Sequence, residues 1–542
     1  MKFHLVLLAF LLPLVTCAQS PLSQVWVPDL GNGSYKNPVL YADYSDPDVV
    51  RVGPDYYLTS SSFNSAPGLQ ILHSRDLVNW TIIGAAFSQQ PPLARYNQPQ
   101  HGNGVWAPAI RYHNKEFYIY YPDPDLGLFV TKAKNPAGPW SAPICIKEAK
   151  GWIDPCPLWD EDGQAYLVHG FAGSRAGFKS VLAVSRMSTD GLSLLGDEVL
   201  VFDGHEKHPT IEGPKFYKRH DYYYIFAPGG GVSTGWQVVL RSKNVFGPYE
   251  DRIVMSQGKT PINGPHQGAW VDTPDGKEDW FLHFQDQGAY GRVVHLQPMQ
   301  WRNDWPTIGE DPDGDGVGQP VLTHRKPAVK GAAQPVATPA TSDEFSSAAL
   351  GLQWQWHANP QPGWAFLNQS SGTLRLYSVP LPDGAKNLWQ VPNLLLQKLP
   401  AEQFTATAKL TVMPRFEGEK VGLVMMGLDY ATLTLTNIGG QLQLNQTVCK
   451  DADKLTPETA TAPPVAMPAR QPIYLRVAVQ KGAKCQFSYS LDGQVFTPLG
   501  AEFQAREGKW IGAKMGLFCT RTGKTNDAGS ADVDRFRVEA GQ

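Results

Sequence analysis

Three acidic residues stand in short phrases of one build: Asp46 in YSDPD, Asp154 in WIDP and Glu212 in IEGPK. Each lies beside a proline or glycine, just ahead of a run rich in β-formers. Scattered on separate turns, such carboxyls would be ordinary solvated groups. Gathered in one pit, they could do chemistry. One could stay protonated and give its proton to a leaving oxygen while a second stays ionised and activates water, the pairing that cleaves glycosidic bonds. A third would raise the pKa of the acid by like-charge repulsion and hold it in place. Glu212 has one methylene more than an aspartate, so it reaches furthest and suits the acid role. Spacing alone leaves Asp46 and Asp154 open between base and modulator.

Whether they converge depends on the elements that carry them. The phrases belong to a longer repeat. Residues 45–58 read SDPDVVRVGPDYYL, 106–119 WAPAIRYHNKEFYI, 153–167 IDPCPLWDEDGQAYL, 211–225 IEGPKFYKRHDYYYI and 265–282 PHQGAWVDTPDGKEDWFL. Each has a small or polar anchor, a short apolar run, a polar turn and an aromatic strand, which is a hairpin pattern. The anchors Asp46, Ala107, Asp154, Glu212 and His266 recur at intervals of roughly 50–60 residues. Five mostly-β units of similar length predict a five-bladed β-propeller. The phrases RDLVNWTIIG, NPAGPWSAP and NVFGPYED would then close blades at their outer strands. If each anchor begins an innermost strand, all five face the mouth of the channel. Asp46, Asp154, Glu212 and His266 then meet from four blades, and Ala107 leaves room on the fifth. Three mutually repelling, partly dehydrated carboxylates do not help stability, so a pit of this kind points to chemistry.

Composition agrees with an all-β protein of more than one domain. The chain has 542 residues, 52 Gly and 45 Pro. A formal net charge of −3 gives no sign of a nucleic-acid partner. MKFHLVLLAFLLPLVTCAQS reads as a secretory signal over residues 1–18, too short to span a bilayer. It predicts export, with a periplasmic destination. LVTC is similar to a lipobox, so the second reading is a lipid anchor at Cys17 on the outer membrane or cell surface; Thr before the Cys favours soluble export. Six scattered cysteines without metal spacing do not suggest a disulfide framework.

The ordered set YSDPD, WIDP and IEGPK on five β-repeats resembles glycoside hydrolase family 43. HFQDQGAYGRVVHLQPMQW, residues 283–301, resembles the fifth-blade phrase of its arabinofuranosidase and β-xylosidase branch. The resemblance implies a five-bladed propeller that inverts the anomeric centre. It implies Asp46 as general base, Asp154 as pKa modulator and Glu212 as general acid. Arg292 in AYGR matches a residue that reaches sugar hydroxyls. His266 in GPHQG matches a channel residue that in some relatives binds Ca²⁺ or water; no cofactor is otherwise required. A sugar site also needs an apolar wall, and Trp106 and Phe63 are the candidates. DPDGDG at 311–316 lacks the acidic twelfth ligand of a calcium loop, since Leu322 stands there, and reads as a turn off the last blade.

The propeller is expected over residues 19–325. A Pro/Ala-rich linker follows over 326–341, and alternating strands over 342–542 predict a β-sandwich. That sandwich is similar to the concanavalin-like C-terminal module of many family 43 exo-enzymes, which implies a module packed against the propeller, closing one side of the site. The resulting expectation is an exo-acting glycosidase. It would release terminal α-L-arabinofuranose or β-D-xylose, the former preferred, from arabinose- or xylose-containing plant cell-wall polysaccharides such as xylan. The alternatives are a non-catalytic carbohydrate-binding propeller and an endo-arabinanase-type hydrolase. The complete Asp/Asp/Glu set weighs against the first, and the C-terminal sandwich against the second.

Overall fold

The computed structural model describes residues 22–329 and 334–541. Five four-stranded antiparallel sheets succeed one another, each built in simple chain order. Blade I runs from Asp48–Val52 to Thr81–Phe87, blade II from Ala109–His113 to Ile144–Glu148 and blade III from Trp152–Trp159 to Leu194–Asp203. Blade IV runs from Lys215–Arg219 to Glu250–Met255 and blade V from His266–Asp272 to Trp305–Ile308. Tight hairpins suit this order. Asn114-Lys115 and Asn303-Asp304 are two-residue turns with positive φ at both positions, the twist that matches paired strands. The DPDGDG stretch is a turn after blade V, with Asp311 accepting from the amides of Gly314 and Gly316.

The ring is closed by a clasp rather than by a shared blade. Ser34–Lys36 pairs with Thr323–Arg325. Leu40 and Val294 exchange backbone hydrogen bonds, and the Tyr44 amide donates to Arg292 O. The Asn37 side chain donates to Leu296 O and Val321 O and accepts from the Leu296 amide.

The second module is a sandwich of a nine-stranded and an eight-stranded sheet. Its strand Phe404–Met413 alternates buried and half-buried positions, with Phe404, Ala406, Ala408, Leu410 and Val412 facing the core, the period of a strand covered on one face. That core does not stop at the module boundary. Tyr41, Tyr290 and Val293 of the propeller pack into the same apolar cluster as Trp354, Trp356 and Phe404. Backbone bonds join Ala66 and Trp356 in both directions. The Tyr290 hydroxyl donates to Glu402 O and accepts from the Ala483 amide. The Pro/Ala-rich segment is pinned to the propeller: the Ala337 amide donates to Asn79 Oδ1, and the Thr338 hydroxyl to Ser23 O.

Cys145, Cys156, Cys449, Cys485 and Cys519 are all free thiols, so packing and not cross-linking holds the described residues together. No helix among them is long and apolar enough to cross a membrane. Residues 1–18, where a secretory signal is expected, lie outside the described residues, Cys17 among them.

Candidate active site

The repeat anchors occupy equivalent places, within two or three residues of an innermost strand's start. Asp46 precedes the Asp48–Val52 strand and Glu212 precedes Lys215–Arg219, whereas Asp154 lies inside Trp152–Trp159 and His266 opens His266–Asp272. Asp154 sits where the strand's register slips, between Ile153 and Cys156. Asp46 and Asp154 both adopt left-handed backbone, with φ of 54° and 57°. Such conformations cost of order 1–3 kcal/mol each in non-glycine residues and cluster at working sites. Asx side chains tolerate the region best, which suits aspartate here.

The three carboxyls feel one another across the channel mouth. Burial, then the charges of Asp154 and Asp46, holds Glu212 well above the ordinary carboxylate range. Its side chain still keeps 26% of its surface open, so a ligand can reach it. Asp154 is also pushed up, mainly by burial, although it accepts from the Gly213 amide at 2.7 Å and feels Lys215 and Arg292. Asp46 stands in a different environment. Its Oδ1 accepts from Arg292 Nη1 at 3.0 Å and its Oδ2 from the Ser61 hydroxyl at 2.6 Å. Both bonds fix the orientation of this carboxyl. One fold thus presents a carboxyl poised to stay protonated beside one fixed by an arginine and a serine.

Arg292 is itself fixed. Its amide donates to Asp43 Oδ1, and its guanidinium lies 4.9 Å from the Phe284 ring. His266 is fully buried, and burial together with Arg292 pushes it down to about 3. It is therefore neutral, and its 3.6 Å approach to Glu212 Oε1 is too long for a hydrogen bond and is no ion pair. Both of its ring nitrogens lack a partner. This donor set does not fit a calcium cage. Ca²⁺ takes 6–8 oxygen ligands, whereas His266 offers one imidazole beside a guanidinium, and no group of three His, Cys, Asp or Glu among the described residues is arranged for a metal.

The two candidate wall residues differ in exposure. Trp106 is half-buried, its indole donating to Gly102 O at 2.9 Å, with the Arg175 guanidinium 5.2 Å from its ring. Phe63 is only 2% exposed. Its backbone pairs with Val105 in both directions, so it braces the segment that carries Trp106.

Sequence reasoning missed the groups that act through others. Ser61 sits in the polar run SSSF, and Asp43 in YADYSD; each could have been flagged only by knowing which turns face inward. Lys215, three residues after Glu212, is fully buried with its ammonium donating to Pro108 O. The largest omission is residues 509–513 of the sandwich. The Gly512 amide donates to Asp43 Oδ2 and the Ala513 amide to Ala289 O. A Cβ added at Gly102 would meet Lys509 Cγ at 2.8 Å and Trp510 Cδ1 at 3.0 Å. The sandwich therefore leans on the rim between Gly102 and Arg292, as the resemblance implied for a module that closes one side.

Comparison with known proteins agrees with this geometry. The model of glycosyl hydrolases family 43 matches residues 35–306, and that of the beta xylosidase C-terminal concanavalin A-like domain matches residues 342–539. A putative beta-xylosidase of Xylanibacter ruminicola is 40% identical over 91% of the chain and 87% of its own length. A non-reducing end alpha-L-arabinofuranosidase of Bacteroides ovatus is 32% identical over 76% of the chain and 78% of its own length. The crystal structure of a mutant GH43 protein from Bacillus licheniformis superposes with a TM-score of 0.80 at 26% identity, over 94% of this chain and all of that one.

Proposed function

The chain belongs to glycosyl hydrolase family 43 and is a glycosidase, and from that premise we propose an exo-acting, inverting enzyme that removes terminal pentoses from xylose- or arabinose-containing oligosaccharides. In this reading Glu212 protonates the departing oxygen, Asp46 takes a proton from the attacking water, and Asp154 keeps Glu212 protonated. The observation that carries it is the asymmetry between two carboxyls of one pit. Glu212 is raised by burial and like charge, while Asp46 is held by Arg292 and Ser61. Inversion requires room for water between acid and base, a carboxyl separation of roughly 6.5–9.5 Å. Proton NMR of fresh product should show the anomer opposite to that of the substrate. Retention, or transfer to added methanol, would sink the assignment.

Asp154 supports the pair through charge and through Gly213. Asp154→Asn removes a negative charge that raises Glu212, so the acid loses its proton at lower pH. The alkaline limb of the kcat/KM profile should move toward acid, and activity at neutral pH should fall. An unmoved limb would take the modulator role from Asp154.

For the sugar itself, the relative at 40% identity carries a beta-xylosidase name. That favours β-D-xylosides over α-L-arabinofuranosides and reverses the order expected from the sequence. Both nitrophenyl pentosides should be cut, with higher kcat/KM on the xyloside. Glucosides should react poorly, because their hydroxymethyl group must fit against the Trp106 wall. Discrimination by one such group is only about 1–3 kcal/mol, so weak cross-reaction is expected. Efficient glucoside cleavage would overturn the pocket argument. We also propose export to the periplasm, on the character of residues 1–18, with soluble release ranked above anchoring through Cys17.

A further inference from the structure

We propose that Lys215 is a positioning residue of this site, its buried ammonium assigning the proton shared by Asp154 and Glu212 to Glu212; the proposal rests on the reading of Glu212 as the acid. Two dehydrated carboxyls that feel each other can hold one proton in either of two places, and only one of them is productive. Lys215 lies three residues after Glu212, at the first position of the innermost strand of blade IV. The Gly213 amide donates to Asp154 Oδ2 at 2.7 Å and the Phe216 amide to Cys156 Sγ at 3.2 Å, so residues 213–216 run beside residues 154–156 of blade III. Lys215 stands between those two amides. Its Nζ donates to Pro108 O at 2.9 Å, just ahead of the first strand of blade II. The side chain therefore crosses from blade IV to blade II past the strand that carries Asp154.

The charges around this lysine leave it one source of compensation. It is fully buried, and its hydrogen bond is to a neutral carbonyl. A buried cation needs an opposite charge nearby. Two neighbouring acids are already matched. Asp46 meets Arg292 of blade V at 3.0 Å, and Asp48 of blade I meets Arg111 of blade II at 2.6 Å. Asp48 accepts from the Ile110 amide as well. Burial pushes the Cys156 thiol up, so it carries no charge at neutral pH, and His266 of blade V is neutral. Asp154 and Glu212 remain. With one proton between them they supply the single negative charge that Lys215 lacks.

Position decides which carboxyl takes that charge. Burial raises Asp154, and the Gly213 amide, Lys215 and Arg292 oppose it. Burial also raises Glu212, together with Asp154 and Asp46, against Arg292 and Lys179. Arg292 acts on both carboxyls and does not separate them. Lys179 is an exposed residue bonded to Thr210 Oγ1, where water and salt weaken its reach. Among the strongest influences on the two carboxyls, Lys215 is the buried cation that bears on Asp154 alone.

The test reads the proton in the full-length chain. Infrared difference spectra at neutral pH, native against Lys215→Met, should show a protonated glutamic acid lost and a protonated aspartic acid gained. Isotopic labelling of the carboxyl carbons of one residue type at a time tells the two apart. Lys215→Gln, which removes the charge and keeps a donor toward Pro108 O, should give the same spectra and replaces Lys215→Met if that variant does not fold. On xylo-oligosaccharides, kcat/KM near neutral pH should fall by about tenfold or more and recover toward acid pH, where a second proton reaches Glu212. In Asp154→Asn, which has no competing carboxyl, the same change at Lys215 should cost nothing further. An unmoved glutamic acid band overturns the proposal, and so does a loss that persists in Asp154→Asn, which would give Lys215 a role in the fold alone. The spectra need no substrate, so inactivity of the native chain on these sugars would fault the reading of Glu212 as acid and not the placement of the proton.

Discussion

Glu212→Gln should cut hydrolysis of xylo-oligosaccharides by about 10²–10⁴-fold, the range that a positioned proton donor contributes. Nitrophenyl pentosides should be spared most of that loss. An alkoxide is a poor leaving group and needs a proton as the bond breaks, whereas a nitrophenolate leaves without one. Glutamine keeps the length and shape of the side chain and can still accept from its surroundings, but it has no acidic proton to give. The substitution also removes the carboxyl whose deprotonation would end activity at high pH, so the alkaline limb should flatten on the activated substrate. Measuring kcat/KM on the two substrate types separates a lost donor from a damaged fold. Equal losses on both would remove Glu212 from the acid role.

Asp46→Asn carries the second large effect, and its pattern differs. Water must be activated whatever group leaves, so both substrate types should fall together, again by about 10²–10⁴-fold. The backbone argues that this loss is chemical. Asparagine accepts left-handed φ as readily as aspartate, so the 54° conformation at this position survives the change. The amide oxygen can still accept one bond from Arg292 or Ser61. Added azide attacks without losing a proton, so it should restore turnover of the nitrophenyl substrate in this variant. Failure of azide, together with a lowered melting temperature, would mean that Asp46 chiefly holds Arg292 in place.

Much of this site was legible in the chain because a repeat converts spacing into geometry. Asp46, Asp154, Glu212 and His266 could be brought to one mouth from sequence alone, since equivalent positions of successive blades face the same axis. The turn at 311–316 was legible for a similarly local reason. What resisted was everything that depends on direction within a turn. Nothing in SSSF says that Ser61 faces Asp46 while Phe63 turns almost wholly inward. The sandwich contact was the hardest to place. Gly512 and Asp43 lie far apart in sequence, share no motif, and meet through a backbone amide that any residue type could supply. The resemblance carried that expectation where local pattern had nothing to offer.

The clasp that closes the ring has a consequence for how the enzyme fails. Residues 34–44 tie blade V to the start of the chain through Asn37, Leu40 and Tyr44, and Asp46 follows only two residues later. The lock and the base thus ride on one strap. Native proteins open in pieces, with free energies below that of global unfolding. If the strap lifts from Val294 and Arg292, Asp46 swings away from Glu212 while the sheets of all five blades stay paired. On warming, catalysis would then disappear before the β-sheet signal does. The amides of Leu40, Tyr44 and Val294 would exchange with solvent in step with that early loss.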